Sequence, residues 1–244
     1  MLIDTIGKNV FVVHALSGYE DHEEWINRLF NKHHLDFEYF TDGDISLITP
    51  DHLRKYFTPD IKSKFSLAGI SCTLNHILLY KKIIDEKIKL ALIFEDDACF
   101  LGPFVKKLNR MSEELQALEK GFIVSLENTP LTFPPFRVTK KNKYLYKAEK
   151  GRMTAAYIID YEGARRAYED LNHHKCNHCV DWWHNDLAKR GIIQIYWAHP
   201  PFVEQGSHNG RFSGVMSSYP RSYTRRISWI LQKYYKMYIR RFFK

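Results

Sequence analysis

Apolar residues along this chain fall into short continuous runs that alternate with stretches of helical spacing. Residues 9–16 are short, apolar and β-branched, which predicts a first strand ending near His14. Ser17-Gly18 breaks it, and Trp25, Leu29 and Phe30 recur at helical spacing within 21–34. Phe37-Glu38-Tyr39-Phe40 alternates as a second strand, and residues 45–66, with two prolines, predict a loop carrying short helical pieces. A helix follows over 67–87, where Ile70, Leu74, Ile77, Leu78 and Ile84 share a face. Leu90-Ala91-Leu92-Ile93-Phe94 is apolar without alternation, as expected of a strand covered on both sides, and it closes on Glu95-Asp96-Asp97.

The same rhythm continues. A helix is predicted after Gly102-Pro103 to about residue 119, then a strand over 121–126. Pro130, Pro134 and Pro135 break regular structure around 131–142, a long loop suited to an acceptor-binding or lid segment. A strand over 153–159, a helix over 161–171, a helix starting at Val180 and a strand over 192–197 complete the body. Strands alternating with helices predict the α/β class, with a single mixed, mostly parallel sheet flanked by helices.

Three adjacent carboxylates at the end of a buried strand repel one another, so their local structure must gain something by holding them together. A divalent cation is the simplest partner, since Mg²⁺ and Mn²⁺ take carboxylate oxygens. Open α/β sheets also collect ligands beyond the carboxyl ends of their strands. Glu95-x-Asp97 has the form of the acidic motif of sugar-nucleotide transferases, although a solvated acidic turn has the same composition. At the end of the second strand, Asp42 is placed for a nucleotide ribose, while Asp42 and Asp44 beside Gly43 also suit a turn. No Gly-x-Gly-x-x-Gly is present, so a dinucleotide cofactor is not indicated.

Charge changes this picture at one end only. The formal net charge is +8, and residues 205–244 hold nine Lys or Arg and no Asp or Glu, so residues 1–204 sum to −1. A near-neutral body of residues 1–220 is therefore followed by a basic, aromatic tail of residues 221–244. Within the tail, Ile227, Ile230, Leu231, Tyr234 and Tyr238 recur at three and four residues and form one apolar stripe on a helix. Such a helix suits an anionic membrane surface; packing of the same stripe onto the body is the alternative. No base-reading or stacking module is visible, so nucleic acid is not the expected partner. With no apolar leader and no run long enough to span a bilayer, the chain is expected to be cytoplasmic and peripheral on the inner membrane. Cys72, Cys99, Cys176 and Cys179 are expected as free thiols. His173, Cys176, His178 and Cys179 are rich in soft ligands, but a single Cys-x-x-Cys is a weak zinc signature. His76, on an apolar helix, suits a hydrogen-bonded core residue or a ligand.

In order, these segments resemble the family 25 glycosyltransferases, which include bacterial lipooligosaccharide galactosyltransferases. The resemblance runs over about residues 9–213. It rests on the first strand, Cys72-Thr73-Leu74-Asn75-His76, Glu95-Asp96-Asp97, and Thr154-Ala155-Ala156-Tyr157-Ile158-Ile159 with Gly163-Ala164. Val180-Asp181 and the segment from Pro201 to His208 extend it. The chain departs from the family at Gly69, Ser71 and Asn75, and at Asp21-His22, where the family has an Asp-Arg pair. The resemblance implies a GT-A-like fold, a UDP-sugar donor, inversion at the anomeric carbon and a lipooligosaccharide or lipopolysaccharide acceptor. Galactose is the expected sugar, with glucose as the alternative. In that setting Asp97 and His208 are the expected ligands of Mn²⁺ or Mg²⁺. His14, Asp42, His76, Glu95 and Asp96 are expected at the donor. Asp181 is the expected base, with Asp186 and Glu204 behind it, and Trp182 and Trp183 are placed to stack on a sugar.

Overall fold

A computed structural model describes residues 2–213 and 222–243. Its strands are β1 (Val10–Val13), β2 (Glu38–Phe40), β3 (Leu90–Glu95), β4 (Ala98–Phe100), β5 (Phe122–Ser125), β6 (Leu145–Ala148), β7 (Ala156–Asp160), β8 (Gln194–Ala198) and β9 (Val203–Gln205). Its α-helices are α1 (Leu2–Ile6), α2 (Glu20–Lys32), α3 (Pro50–Tyr56), α4 (Ile61–Lys64), α5 (Leu67–Asp85), α6 (Phe104–Arg110), α7 (Ser112–Gln116), α8 (Tyr161–Asp170), α9 (Val180–Lys189) and α10 (Tyr223–Tyr234).

Seven strands form one sheet in the order β2-β1-β3-β7-β5-β8-β6, and five of them run the same way. β7 and the edge strand β6 run against the rest. This is the α/β class and the mixed, mostly parallel sheet that the sequence predicts. All four residues of β1 are buried, as are 91–94 of β3, because helices cover both faces. On one face α5, α8 and α9 contribute Leu74, Ile77, Tyr80, Ala164, Trp183 and Leu187. On the other, α1, α2, α6 and α7 contribute Ile6, Ile26, Phe30, Phe104, Leu108 and Leu115. Each such aliphatic or aromatic side chain contributes roughly 1.5–3 kcal/mol by leaving water.

Several boundaries differ from the sequence reading for local reasons. The helix predicted to about residue 119 breaks at Met111, whose side chain is buried between α6 and α7. The strand predicted from residue 153 begins at Ala156, because Thr154 leaves the sheet to reach Glu95. The short ribbon of β4 and β9 and the edge strand β6 carry too few residues for a pattern of their own. The ribbon matters for function: it ties the residues after the acidic triplet to the segment that leads into His208. Because β7 is antiparallel to β3, its leading residues lie beside the end of β3.

Candidate active site

The ends of β1 and β3, the start of α9 and the loop after β9 enclose an open cavity of about 390 Å³. His14, Glu95, Asp96, Asp97, Asp181 and His208 all line it, so the fold brings together six of the eight residues expected at a site. Asp42 and His76 are not among the lining residues. Asp42 is exposed in the turn after β2. That turn is pinned to α5, where the Gly43 N–H donates to Asn75 at 2.7 Å and Ser71 donates to the Gly43 carbonyl at 2.8 Å. A side chain at Gly43 would collide with the α5 backbone. Asp44 is the turn former: it accepts from Ser46 N–H at 2.9 Å and Leu16 N–H at 3.0 Å. His76 is fully buried behind Glu95, so it reaches the cavity only through that carboxylate.

The three acids are held in three different ways. Glu95 accepts from the Thr154 hydroxyl at 2.5 Å and from the Gln205 amide at 2.9 Å. Asp96 lies between two imidazoles, with His14 Nδ1 at 2.7 Å and His22 Nδ1 at 2.9 Å. Burial works against the Asp96 charge, but the hydrogen bonds from His14 and His22 outweigh it and hold the carboxyl below its ordinary range. His22 is also desolvated, yet contact with Asp96 keeps its imidazolium favoured. Asp97 has the opposite balance. Burial, then repulsion from Glu95 and Asp96, lifts it to about 7, against the opposing hydrogen bonding of Ser207, whose N–H donates to it at 3.0 Å. Its Oδ1 is buried without a hydrogen-bond partner.

That orphaned oxygen, in a wall of three carboxylates, fits a divalent cation. His208 lines the same cavity, and burial followed by the nearby Arg225 lowers its pKa, which keeps the ring neutral and able to ligate. Gly206 fixes the loop that carries it: its N–H donates to the Asp97 carbonyl at 2.8 Å, and a Cβ there would strike that carbonyl and the Phe212 ring. Asp97 and His208 belong to no group of three donor atoms within 4.8 Å of one another among the described residues. Among the described residues, only Cys72, His76 and Glu95 place three donor atoms within 4.8 Å of one another. Burial and the charges of Glu95 and Asp96 push the Cys72 thiol well up, so it is a protonated, poor ligand there. His173, Cys176, His178 and Cys179 do not converge as a zinc site would. Cys176 Sγ donates to the His178 carbonyl at 3.2 Å, and Cys179 Sγ donates to Asp181 at 3.0 Å.

Asp181 stands out among the three base candidates. The helix cap is Cys179, so Asp181 sits inside the first turn of α9 and lines the cavity. Burial is the main cause of its raised pKa, with Glu95 adding to it, which suits a group that must accept a proton. Asp186 instead pairs with Arg190 at 2.8 Å, and Glu204 with Lys233 at 2.6 Å; neither lines the cavity. The two tryptophans divide in the same way. Trp183 is buried against Tyr80, whereas Trp182 lines the cavity at 60% exposure. His22, Thr154, Gln205 and Ser207 complete the wall. Thr154, Gln205 and Ser207 lie in segments that carry the family resemblance. In sequence His22 marks only a departure, standing where the family has the Arg of an Asp-Arg pair, and it reaches Asp96 across 74 positions.

The profile of glycosyltransferase family 25, described as an LPS biosynthesis protein, matches residues 9–182. The match takes in β1, the acidic triplet and Asp181, and ends before β8, β9 and His208. Human procollagen galactosyltransferase 2 is 23% identical over 134 residues, which is 54% of this chain and 21% of that protein. The mouse protein of the same name is 27% identical over 113 residues, 46% of this chain and 18% of its own length. A procollagen lysyl hydroxylase and glycosyltransferase of Acanthamoeba polyphaga mimivirus is 26% identical over 104 residues, 40% and 11% respectively. The matches thus span about a fifth or less of the length of these relatives.

Proposed function

This chain belongs to glycosyltransferase family 25 and is a glycosyltransferase, and we propose that it moves a hexose, galactose by preference, from a UDP-sugar to a lipooligosaccharide or lipopolysaccharide acceptor. The observation that carries this reading is the cavity itself, with three strand-end carboxylates in its wall and a desolvated Asp181 on a separate element. Galactose is favoured because the human and mouse relatives are named galactosyltransferases. The family resemblance supports inversion at the anomeric carbon.

Asp97, with His208, would hold Mn²⁺ or Mg²⁺, whose charge offsets that building on the departing diphosphate. Glu95 and Asp96, oriented by Thr154, Gln205, His14 and His22, face the ribose and the diphosphate end of the donor. Asp181 accepts the proton of the acceptor hydroxyl as it attacks. Trp182 offers an aromatic face to the acceptor sugar.

The C-terminal helix supports a lipid-linked acceptor. No helix among the described residues is long and apolar enough to cross a membrane. The stripe on α10 and the turn after it faces solvent rather than the body: Ile227, Ile230, Leu231 and Tyr234, and beyond them Tyr238, are all exposed, Leu231 at 65%. Phe136 on the long loop stacks on Phe242 at 4.3 Å and extends the apolar surface. An anionic membrane surface suits this stripe and its flanking arginines.

The test is turnover of UDP-galactose and UDP-glucose with and without Mn²⁺, using water and a lipid-linked saccharide as acceptors. Metal-dependent UDP release with UDP-galactose preferred is the expected result. Preference for UDP-glucose corrects the sugar, and no release from any UDP-hexose removes the catalytic reading in favour of a non-catalytic assembly factor.

A further inference from the structure

Behind Glu95 runs a buried chain of polar side chains that takes no part in the cavity wall. His184 Nε2 on α9 lies 2.6 Å from the Tyr80 hydroxyl on α5. Tyr80 donates to the Tyr157 hydroxyl on β7 at 3.0 Å. Tyr157 lies 2.6 Å from His76 Nδ1, and His76 Nε2 faces Glu95 Oε1 at 3.7 Å. His76, Tyr80, Tyr157 and His184 are each at most 4% exposed. Four buried polar side chains from three separate elements are expensive to bury without a complete set of partners.

The direction of the chain follows from counting protons. Each tyrosine hydroxyl has one proton to give. Tyr80 gives its proton to Tyr157, so it accepts from His184 Nε2–H. Tyr157 is then left to donate to His76 Nδ1, which must be the bare nitrogen of a neutral ring. The remaining proton of His76 therefore sits on Nε2 and points at Glu95. The reverse direction would turn the buried lone pair of His76 toward a carboxylate with no donor between them, a repulsive contact that the Nε2–H tautomer avoids.

We propose that His184, Tyr80 and Tyr157 form a one-way hydrogen-bond relay that fixes His76 as its Nε2–H tautomer, making His76 a positioning residue for Glu95. Thr154 at Oε1 and Gln205 at Oε2 hydrogen-bond the carboxylate. The otherwise unpartnered His76 Nε2–H faces Oε1 at 3.7 Å, beyond hydrogen-bond length but close enough to bias it electrostatically. Only donors approach it, which keeps its plane fixed while Asp96 and Asp97 press on it from the same wall. His184 shares α9 with Asp181, one turn away, so the relay also ties the helix that carries the base to the strand that carries the acids.

Two measurements on the full chain decide this. In ¹⁵N-labelled wild-type protein, ring nitrogen shifts should show His76 protonated at Nε2 and bare at Nδ1. In Tyr157→Phe that tautomer preference should be lost, and the donor KM should rise about tenfold with kcat within a few-fold of wild type. A purely structural defect would reduce the active fraction, and hence kcat, while leaving KM in place. His76→Gln, which can accept from Tyr157 and donate to Glu95, should retain most of the donor affinity that His76→Leu loses. The kinetic arm rests on Glu95 facing the donor, whereas the ring-nitrogen arm does not. If no UDP-hexose is turned over, the shifts still decide the relay. A wild-type His76 protonated at Nδ1, or a Tyr157→Phe donor KM within twofold of wild type, overturns the proposal.

Discussion

The cavity wall and the C-terminal helix treat charge and apolar surface in opposite ways. Around Glu95, Asp96 and Asp97 the body draws carboxylates inward and gives each a different set of partners. Along α10 and its continuation to Phe243, Lys233 and Arg241 turn inward while Arg226, Arg240 and most of the aliphatic and aromatic side chains turn out. Lys233 holds Glu204 at 2.6 Å, and Arg241 donates to His199 at 2.8 Å and to Thr139 at 3.0 Å. Tyr223, Leu231, Tyr238 and Phe243 meanwhile face water, Phe243 at 85% exposure. A soluble helix normally buries its stripe, whereas this one leaves it exposed. The wall holds charge against the body, and the helix leaves apolar surface exposed; under the proposed function a charged ligand meets the first and an anionic membrane the second.

The comparison breaks most sharply at Asp181. Asp181→Asn is expected to lower transfer by about 10²–10⁴ while donor affinity stays within a few-fold, as judged by turnover and calorimetry. Near-normal turnover would remove Asp181 as the base.

Asp97→Ala should remove the Mn²⁺-dependent increment in UDP affinity, on the order of 10², and leave the fold intact by circular dichroism. The wild-type protein offers a companion test. With the Asp97 carboxyl raised to about 7, protons compete with the cation below that pH and not above it. Mn²⁺ affinity should therefore fall about tenfold per pH unit as pH drops below about 7. A flat profile from pH 5 to 8 would move the metal elsewhere.

The outward stripe is tested without disturbing the body. Leu231→Glu, at an exposed position, should weaken partitioning to anionic vesicles about tenfold or more and leave the melting temperature unchanged. Equal binding of the variant and wild type in co-sedimentation would count against a membrane-facing helix. The smallest effect is expected at the inward side. Lys233→Met leaves the nearly buried Glu204 without its cation, a loss of about 1–2 kcal/mol, seen as a melting temperature lower by a few degrees.

How much of this was legible in sequence follows from the range of the forces involved. The run at 90–94 and the periodic helix at 67–87 were readable because burial on a strand or a helix face imposes a local period. The acidic triplet was readable because its residues are adjacent. The three candidate bases, Asp181, Asp186 and Glu204, were equivalent as letters. The first turn of α9 puts Asp181 on the cavity, while Arg190 and Lys233 hold the other two away from it. Asp42 and Asp44 likewise read alike until the turn on α5 exposes one and buries the other.

Sequence by itself determined the α/β alternation, the strand that ends in carboxylates, and a tail that is both basic and apolar, because each is written in neighbouring or periodically spaced residues. Tertiary structure decided which groups meet. His22 reaches Asp96 across 74 positions, and Tyr157 reaches His76 across 81. It also decided which way α10 faces, since an apolar stripe has the same period whether it turns in or out. The stripe is outside because the body offers Lys233 of α10 a carboxylate at Glu204 and offers Arg241, beyond α10, a ring nitrogen at His199, and cations satisfy those two groups where apolar side chains would leave them unpaired.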